Sequence, residues 1–187
     1  MEKQLAFYVS ASYEMDPECE LLGQLLAGLS KSVKWIIKRT PGRYERGNPD
    51  LEALRSSQFY LILLGMDIVA PIGVELTAAR GADLTIFAYR SLSVLSSPAA
   101  AVFARDARLR WESYLTAQEF IERLEKALVT QILQGSPGYG LELADLEELA
   151  ERMQVIEKKG KERSGEERQG SPMAGGAGRG GVILPKS

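Results

Sequence analysis

The chain has no histidine among its 187 residues. Ser-His-Asp and Cys-His mechanisms are therefore excluded within it, as is any histidine-ligated metal site. It has one cysteine, Cys19, which can neither close an intrachain disulfide nor build a thiolate zinc site alone. Within "PECELLGQLL" that residue reads as a buried structural thiol on a helix face. There is no basic excess either. Lys and Arg number 23 against 25 Asp and Glu, a net charge of −2, which argues against a nucleic-acid partner. Long hydrophobic runs are also missing. The longest are strand-sized, short of the roughly 20 residues that a membrane helix needs, and "MEKQLAFYVS" carries no secretory signal. The expectation is a cytoplasmic protein with no membrane partner and no metal. Any chemistry must run on carboxylates, hydroxyls, Lys, Arg or backbone amides.

What is present is an alternation of short apolar runs and helical patterns. "LAFYVS" (5–10) is a buried strand. A helix follows over 17–29, with Asp16 as N-cap and Pro17 in its first turn. "VKWIIKRT" (33–40) is a second strand, and "PGRYERGNP" (41–49) is a turn-rich loop. Asp50 caps a short helix over 50–57. "FYLILLG" (59–65) is continuously apolar, the mark of a parallel strand buried on both faces. Then come a helix over 74–81 stopped by Gly81, a strand over 83–89, a short helix near 98–106 and a strand over 108–114. A strongly amphipathic helix spans 116–133, with Thr116 and Glu119 at capping-box spacing. This alternation predicts a doubly wound α/β sheet that binds ligands at the carboxyl ends of its strands.

The pattern breaks at Gly135. The expected organisation is an α/β domain over 1–134, a linker and amphipathic helix over 135–157, and a disordered Gly-rich tail over 158–187. The helix, 141–157, places Leu143, Leu146, Leu149 and Met153 on one face. The tail ends near an apolar island, "GVIL" (181–184), which reads either as a solvated remnant or as a short partner-binding element.

The candidate site centres on Glu75, the lone acid in "APIGVELTAARGADLTIFAY" (70–89). It follows the central strand and lies at the start of the predicted helix, where an ionised carboxylate is favoured; a capping glutamate is the alternative reading. Ser10 and Ser12 end the first strand, Tyr13 follows them, and Asp67 lies just past the third strand. A carboxylate among hydroxyls, without histidine, suits cleavage of an N-glycosidic bond, whose transition state is oxocarbenium-like. With NAD the leaving nicotinamide departs neutral, so no general acid is needed. Lys38, Arg39, Arg43 and Arg46 could meet a pyrophosphate, or form a solvated face. "GAGRGG" (176–181) follows no predicted strand and fails the context test for a phosphate loop.

Several segments together resemble the TIR-like superfamily, which includes bacterial TIR domains and nucleoside 2-deoxyribosyltransferases. They are "LAFYVSASYEMD", "KRTPGR" (38–43), "SSQFYLILLG", the Glu75 box with its following strand, and "RWESYLTAQEFIERLEKAL". The resemblance covers roughly residues 4–134. It implies a flavodoxin-like parallel sheet of about five strands. It also implies a catalytic glutamate at Glu75, with Ser10 and Ser12 beside the ribose or nicotinamide; Tyr13 and Asp67, by their place at the strand ends, and Arg43, in the basic run, are further substrate-binding candidates. The box here reads "APIGVEL", without the Ser-x-Trp-Cys of standard TIR domains or the Asp-Gly-Thr of the deoxyribosyltransferases. The likeness therefore bears on the glutamate and not on the substrate.

Three functions follow as expectations. The first is a TIR-like N-glycosidase cleaving NAD or a related nucleotide, a bacterial defence or signalling effector activated by self-association through the 41–49 loop. In that case NAD is substrate and no cofactor is needed. The second is a non-catalytic interaction module that recruits a protein partner through 141–187. The third is a deoxyribosyltransferase-like enzyme on nucleosides.

Overall fold

The apolar run Phe59–Leu64 forms strand β3, and all of its residues are buried. A strand with no solvent face must be covered on both sides, and the rest of the chain supplies both covers. The computed structural model describes residues 3–29, 33–41, 47–69, 71–135 and 138–169. Around β3 run β1 (Lys3–Ala11), β2 (Val33–Arg39), β4 (Thr85–Ser91) and β5 (Glu112–Tyr114). The five strands are all parallel, in the order β2-β1-β3-β4-β5. This is the flavodoxin-like order expected. From β1 the chain steps outward to β2 and then returns past β1 to β3, so the topological switch point lies between β1 and β3.

The period-two alternation of the strands sorts residues between two cores. Phe7, Val9, Phe59, Leu61, Leu63, Phe87 and Tyr89 face one side. There they meet α1 (Asp16–Ala27), α5 (Ala117–Gly135) and α6 (Leu143–Gln169) through residues such as Leu22, Phe120, Leu124 and Leu149. Tyr8, Tyr60, Ile62 and Ala88 face the other side. Their cover is α2 (Leu51–Arg55), α3 (Pro71–Gly81) and α4 (Pro98–Asp106). Cys19 packs against the first core; burial pushes its thiol up to about 11, with Arg39 opposing.

Most elements lie where their patterns put them, and their caps explain why. The Asp50 side chain accepts from the Ala53 N–H at 2.9 Å at the start of α2. Thr116 Oγ1 accepts from the Glu119 N–H at 3.1 Å at the start of α5, and Glu119 reaches back to the Leu115 N–H at 2.7 Å. Ser97 caps α4 by accepting from the Ala100 N–H at 3.1 Å.

Some boundaries and one cap differ from expectation: Asp16, expected to cap α1, is its first residue, with Met15 at the cap position. Helix α3 begins at Pro71 rather than at residue 74, because a proline in the first turn loses no hydrogen bond and is already set at helical φ. Glu75 thus sits in the second turn, beyond the first turn where the helix dipole acts. The same helix ends at Gly81, as expected, but the residue that closes it lies further on. Leu84 N–H bonds to Ala79 C=O and Asp83 N–H bonds to Arg80 C=O, a Schellman closure with Asp83 in the left-handed position at φ 54°. Residue 83 is therefore spent on the cap, and β4 starts at Thr85. Strand β5 is short because Trp111 Nε1 donates to Ala104 C=O at 2.8 Å, tying the preceding segment to the end of α4. A left-handed residue with a Cβ is strained by roughly 1 kcal/mol. Asp83→Gly is expected to raise the melting temperature by about 2–4 °C, checked by a thermal melt; a lower melting temperature would show that the Asp83 side chain stabilises the turn.

Beyond α5 the chain returns to the sheet. The Tyr139 ring lies 5.1 Å from that of Phe59, and Gly135 leaves room for it, since a Cβ there would stand 2.4 Å from the Tyr139 ring. Leu149 is buried and Met153 packs on the same core, whereas Leu143, expected on their face, is 72 % exposed. The chain divides into two compact units at Met153/Gln154. In the second, α6 continues past Glu157, the end expected for it, to Gln169; the "GVIL" island lies outside the described residues. No helix among the described residues is long and apolar enough to cross a membrane.

Candidate functional site

Helix α3 presents Ile72, Leu76 and Ala79 to the sheet at the i, i+4, i+7 spacing of a core stripe. Glu75 falls on the same stripe and is 0 % exposed. An unpaired carboxylate there would cost several kcal/mol. Instead, both of its oxygens are occupied. Tyr8 Oη donates to Oε1 at 2.8 Å. Ser10 Oγ and Thr40 Oγ1 donate to Oε2 at 2.5 and 2.7 Å. Behind them, Tyr60 Oη donates to Ser10 Oγ at 2.7 Å, so a short relay of hydroxyls ends on the carboxylate.

Strand geometry places these donors. Tyr8 and Ser10 are two apart on β1 and so share a face. Tyr60 is the register partner of Tyr8 on β3, and their rings stack at 6.4 Å. Thr40 follows the last residue of β2, fixed by its N–H to Val9 C=O at 2.9 Å. The cage therefore gathers at the carboxyl ends of β1 and β2, beside the switch point. Burial, and then the nearby Glu75, raises the Tyr8 phenol far above its ordinary value of 10.0. Burial is also the largest cause of the raised Tyr60 phenol. Both phenols stay protonated and remain donors. Glu75 forms no ion pair among the described residues, so neutral hydroxyls alone orient it.

Of the residues singled out from sequence, the structure brings Ser10 to Glu75. Ser12 is buried, but its Oγ has no hydrogen-bond partner among the described residues. Tyr13 is exposed in the short 3-10 turn Tyr13–Met15. Asp67 is exposed and is held by Ser97 Oγ at 2.6 Å and the Ile68 N–H at 2.8 Å. The Ser97 bond, more than the Ile68 bond, keeps its carboxyl below the usual range. Arg43 lies outside the described residues. Arg39 pairs with Asp16 at 2.8 Å on the surface, which is the solvated-face reading of that basic run.

Tyr8, Thr40 and Tyr60 are the partners that the sequence reading missed. A signal for Tyr8 lay in the i, i+2 hydroxyls of "YVS", and one for the burial of Glu75 in the helical spacing of Ile72, Glu75, Leu76 and Ala79; Thr40 and Tyr60 had none. A shallow groove of about 440 Å³ lies between α2 and α3, lined by Leu51, Arg55, Val74 and Thr77 among others. Neither Glu75 nor its hydroxyl donors line it. Among the described residues no group of three or more acids and cysteines could hold a metal ion.

No protein-family model matches the chain, and no curated protein matches its sequence.

Proposed function

We propose that this domain is an N-glycosidase of the TIR-like kind. Its substrate would be NAD or a related nucleotide, and Glu75 the carboxylate that faces the anomeric carbon. One observation supports the reading above the others: a carboxylate at the switch-point end of a doubly wound sheet, oriented through both oxygens by hydroxyls and in no ion pair among the described residues. In such a reaction positive charge grows on the ribose as the ring nitrogen departs, and a preorganised carboxylate stabilises that charge or attacks it. Nicotinamide leaves as a neutral base, so the lack of histidine is no obstacle. Ser10 and Thr40 would hold Oε2 in place, leaving Oε1 and its Tyr8 bond to respond as charge develops. Because Glu75 is fully enclosed, substrate entry requires its cover to move, which fits an effector that the 41–49 loop switches on by self-association in the cytoplasm.

The full enclosure also favours a second reading, a binding module in which the cage is only structural. One experiment separates the two. Nicotinamide release from NAD is measured at high protein concentration for wild type and Glu75→Gln. The glycosidase reading expects a fall of roughly 10²–10³-fold or more, with an unchanged circular-dichroism spectrum. Equal release by both proteins, or none by wild type, would overturn it.

A further inference from the structure

Strand β4 ends in Arg90 and Ser91, and the chain then runs through "LSVLSS" into α4. Arg90 is half-buried. Its Nη2 makes one long hydrogen bond, 3.3 Å to Ser96 Oγ. Its Nε is buried with no hydrogen-bond partner, and Arg90 forms no ion pair among the described residues. Arg39, Arg105, Arg123 and Arg152 each hold a carboxylate. The arginine whose Nε is shut away from solvent is thus one that lacks an acid. Partial burial of a guanidinium is costly without an anion, and its planar fork of donors matches a phosphate in two-point contact.

The loops around Arg90 are built. Ser97 N–H donates to Met66 C=O at 2.6 Å, and Ser96 Oγ donates to Gly65 C=O at 3.4 Å. Ser91 Oγ and Ser93 Oγ share a hydrogen bond at 2.7 Å. Two acids belong to these loops, and both are turned to other donors. Asp67 takes Ser97 Oγ and the Ile68 N–H. Glu14 Oε1 takes the N–H groups of Met66 and Asp67 at 3.1 and 3.4 Å. At the rim, Met66, Leu92 and Leu95 are exposed apolar residues, Leu95 at 92 %.

Register relates this cluster to Glu75. Ile62 of β3 pairs with Ser10 on one side and Ala88 on the other, and Leu64 pairs with Arg90. Ala88 belongs to the core on the Tyr8 face, so Arg90, two residues on, rises from that same face. Two strand spacings across and two residues along place the Arg90 Cα about 12 Å from that of Ser10.

We propose that Arg90, with the Ser96 hydroxyl, is a phosphate-recognition site at the carboxyl edge of β4, on the sheet face that carries Glu75. The substrate is then a nucleotide with a phosphate on the ribose 5′ oxygen, and a free nucleoside is a poor one. The reacting bond rests on the N-glycosidase reading above; phosphate binding does not.

Calorimetric titration with ribose 5-phosphate and with ribose tests this on the full chain. Wild type is expected to bind ribose 5-phosphate and to bind ribose at least tenfold more weakly. Arg90→Gln is expected to lose tenfold or more for the phosphate alone. Arg90→Lys keeps the charge without the fork and guards against a folding defect: intermediate affinity with a wild-type melt supports the site. No binding of ribose 5-phosphate to wild type, or equal binding by the wild type and both Arg90 variants, would overturn it. If the glycosidase reading fails instead, nicotinamide release fails its test while phosphate binding and its Arg90 dependence stand.

Discussion

Glu75→Leu is expected to destabilise the fold by about 3–5 kcal/mol and to lower the melting temperature by roughly 10 °C. Leucine is close in size, so the loss comes from stranded donors rather than from a cavity. Tyr8, Ser10 and Thr40 each lose an acceptor in a site with no water-facing edge, at about 1–3 kcal/mol per unsatisfied group. Thr40 is partly spared, since Val9 C=O lies 3.4 Å from its Oγ1. Two further variants identify the cause. Glu75→Gln keeps one acceptor oxygen and an amide that the Ser10 and Thr40 hydroxyls can rotate to accept, so it should cost only about 1 kcal/mol. Adding Tyr8→Phe and Thr40→Val to Glu75→Leu removes two of the three stranded donors together with their partner, and should recover at least half of the loss. Denaturant titration checks all three. A Glu75→Leu protein as stable as wild type would mean that the carboxylate is not bonded as described. This stability difference is also why Glu75→Gln, and not an apolar variant, is the proper partner for the activity assay.

How far the sequence carried depends on which interactions are local. β3 was legible because a strand covered on both faces needs no polar residue, and "FYLILL" has none. α2 and α5 were legible because their caps, Asp50 and Thr116, lie within a few residues of what they cap. The end of α3 at Gly81 was legible, but its closing device was not: Asp83, and not the glycine, takes the left-handed conformation. At the site, Glu75 stood out as a lone acid among apolar neighbours. Ser10 was the one partner singled out; Tyr8 and Thr40 were not, because they lie 67 and 35 residues away in sequence. Only the parallel register of β1 with β2 and β3 assembles them. The serines at the end of β1 show the same limit. Ser10 and Ser12 look alike on the page, yet one bonds to the carboxylate and the hydroxyl of the other is buried without a partner among the described residues.

The same cage makes the fold sensitive to alkali. Tyr8, Tyr60, Tyr89 and Tyr114 are all essentially inaccessible, and burial is the first cause of a raised phenol in each. For Tyr8 and Tyr114 a carboxylate adds to it, Glu75 in the one case and Glu18, bonded at 3.0 Å, in the other. A group whose folded value is raised contributes stability that is complete below its unfolded value. That contribution is lost as pH rises above it, because the unfolded chain then releases protons that the folded chain keeps. The unfolded value of tyrosine is about 10. Above that pH each of the four removes about 1.4 kcal/mol per pH unit, and together they remove between 5 and 6 kcal/mol per unit, on the order of 5. A domain of ordinary stability, about 5–15 kcal/mol, should unfold within one to three pH units. Ultraviolet titration should therefore show these four of the chain's seven tyrosines ionising together with the loss of helical circular dichroism. Tyr8→Phe removes one proton from the step and should flatten the pH dependence of stability by about a quarter. Gradual ionisation of all seven near pH 10, with the helical signal intact, would show that the phenols of the cage are open to solvent and that Glu75 is not enclosed by them.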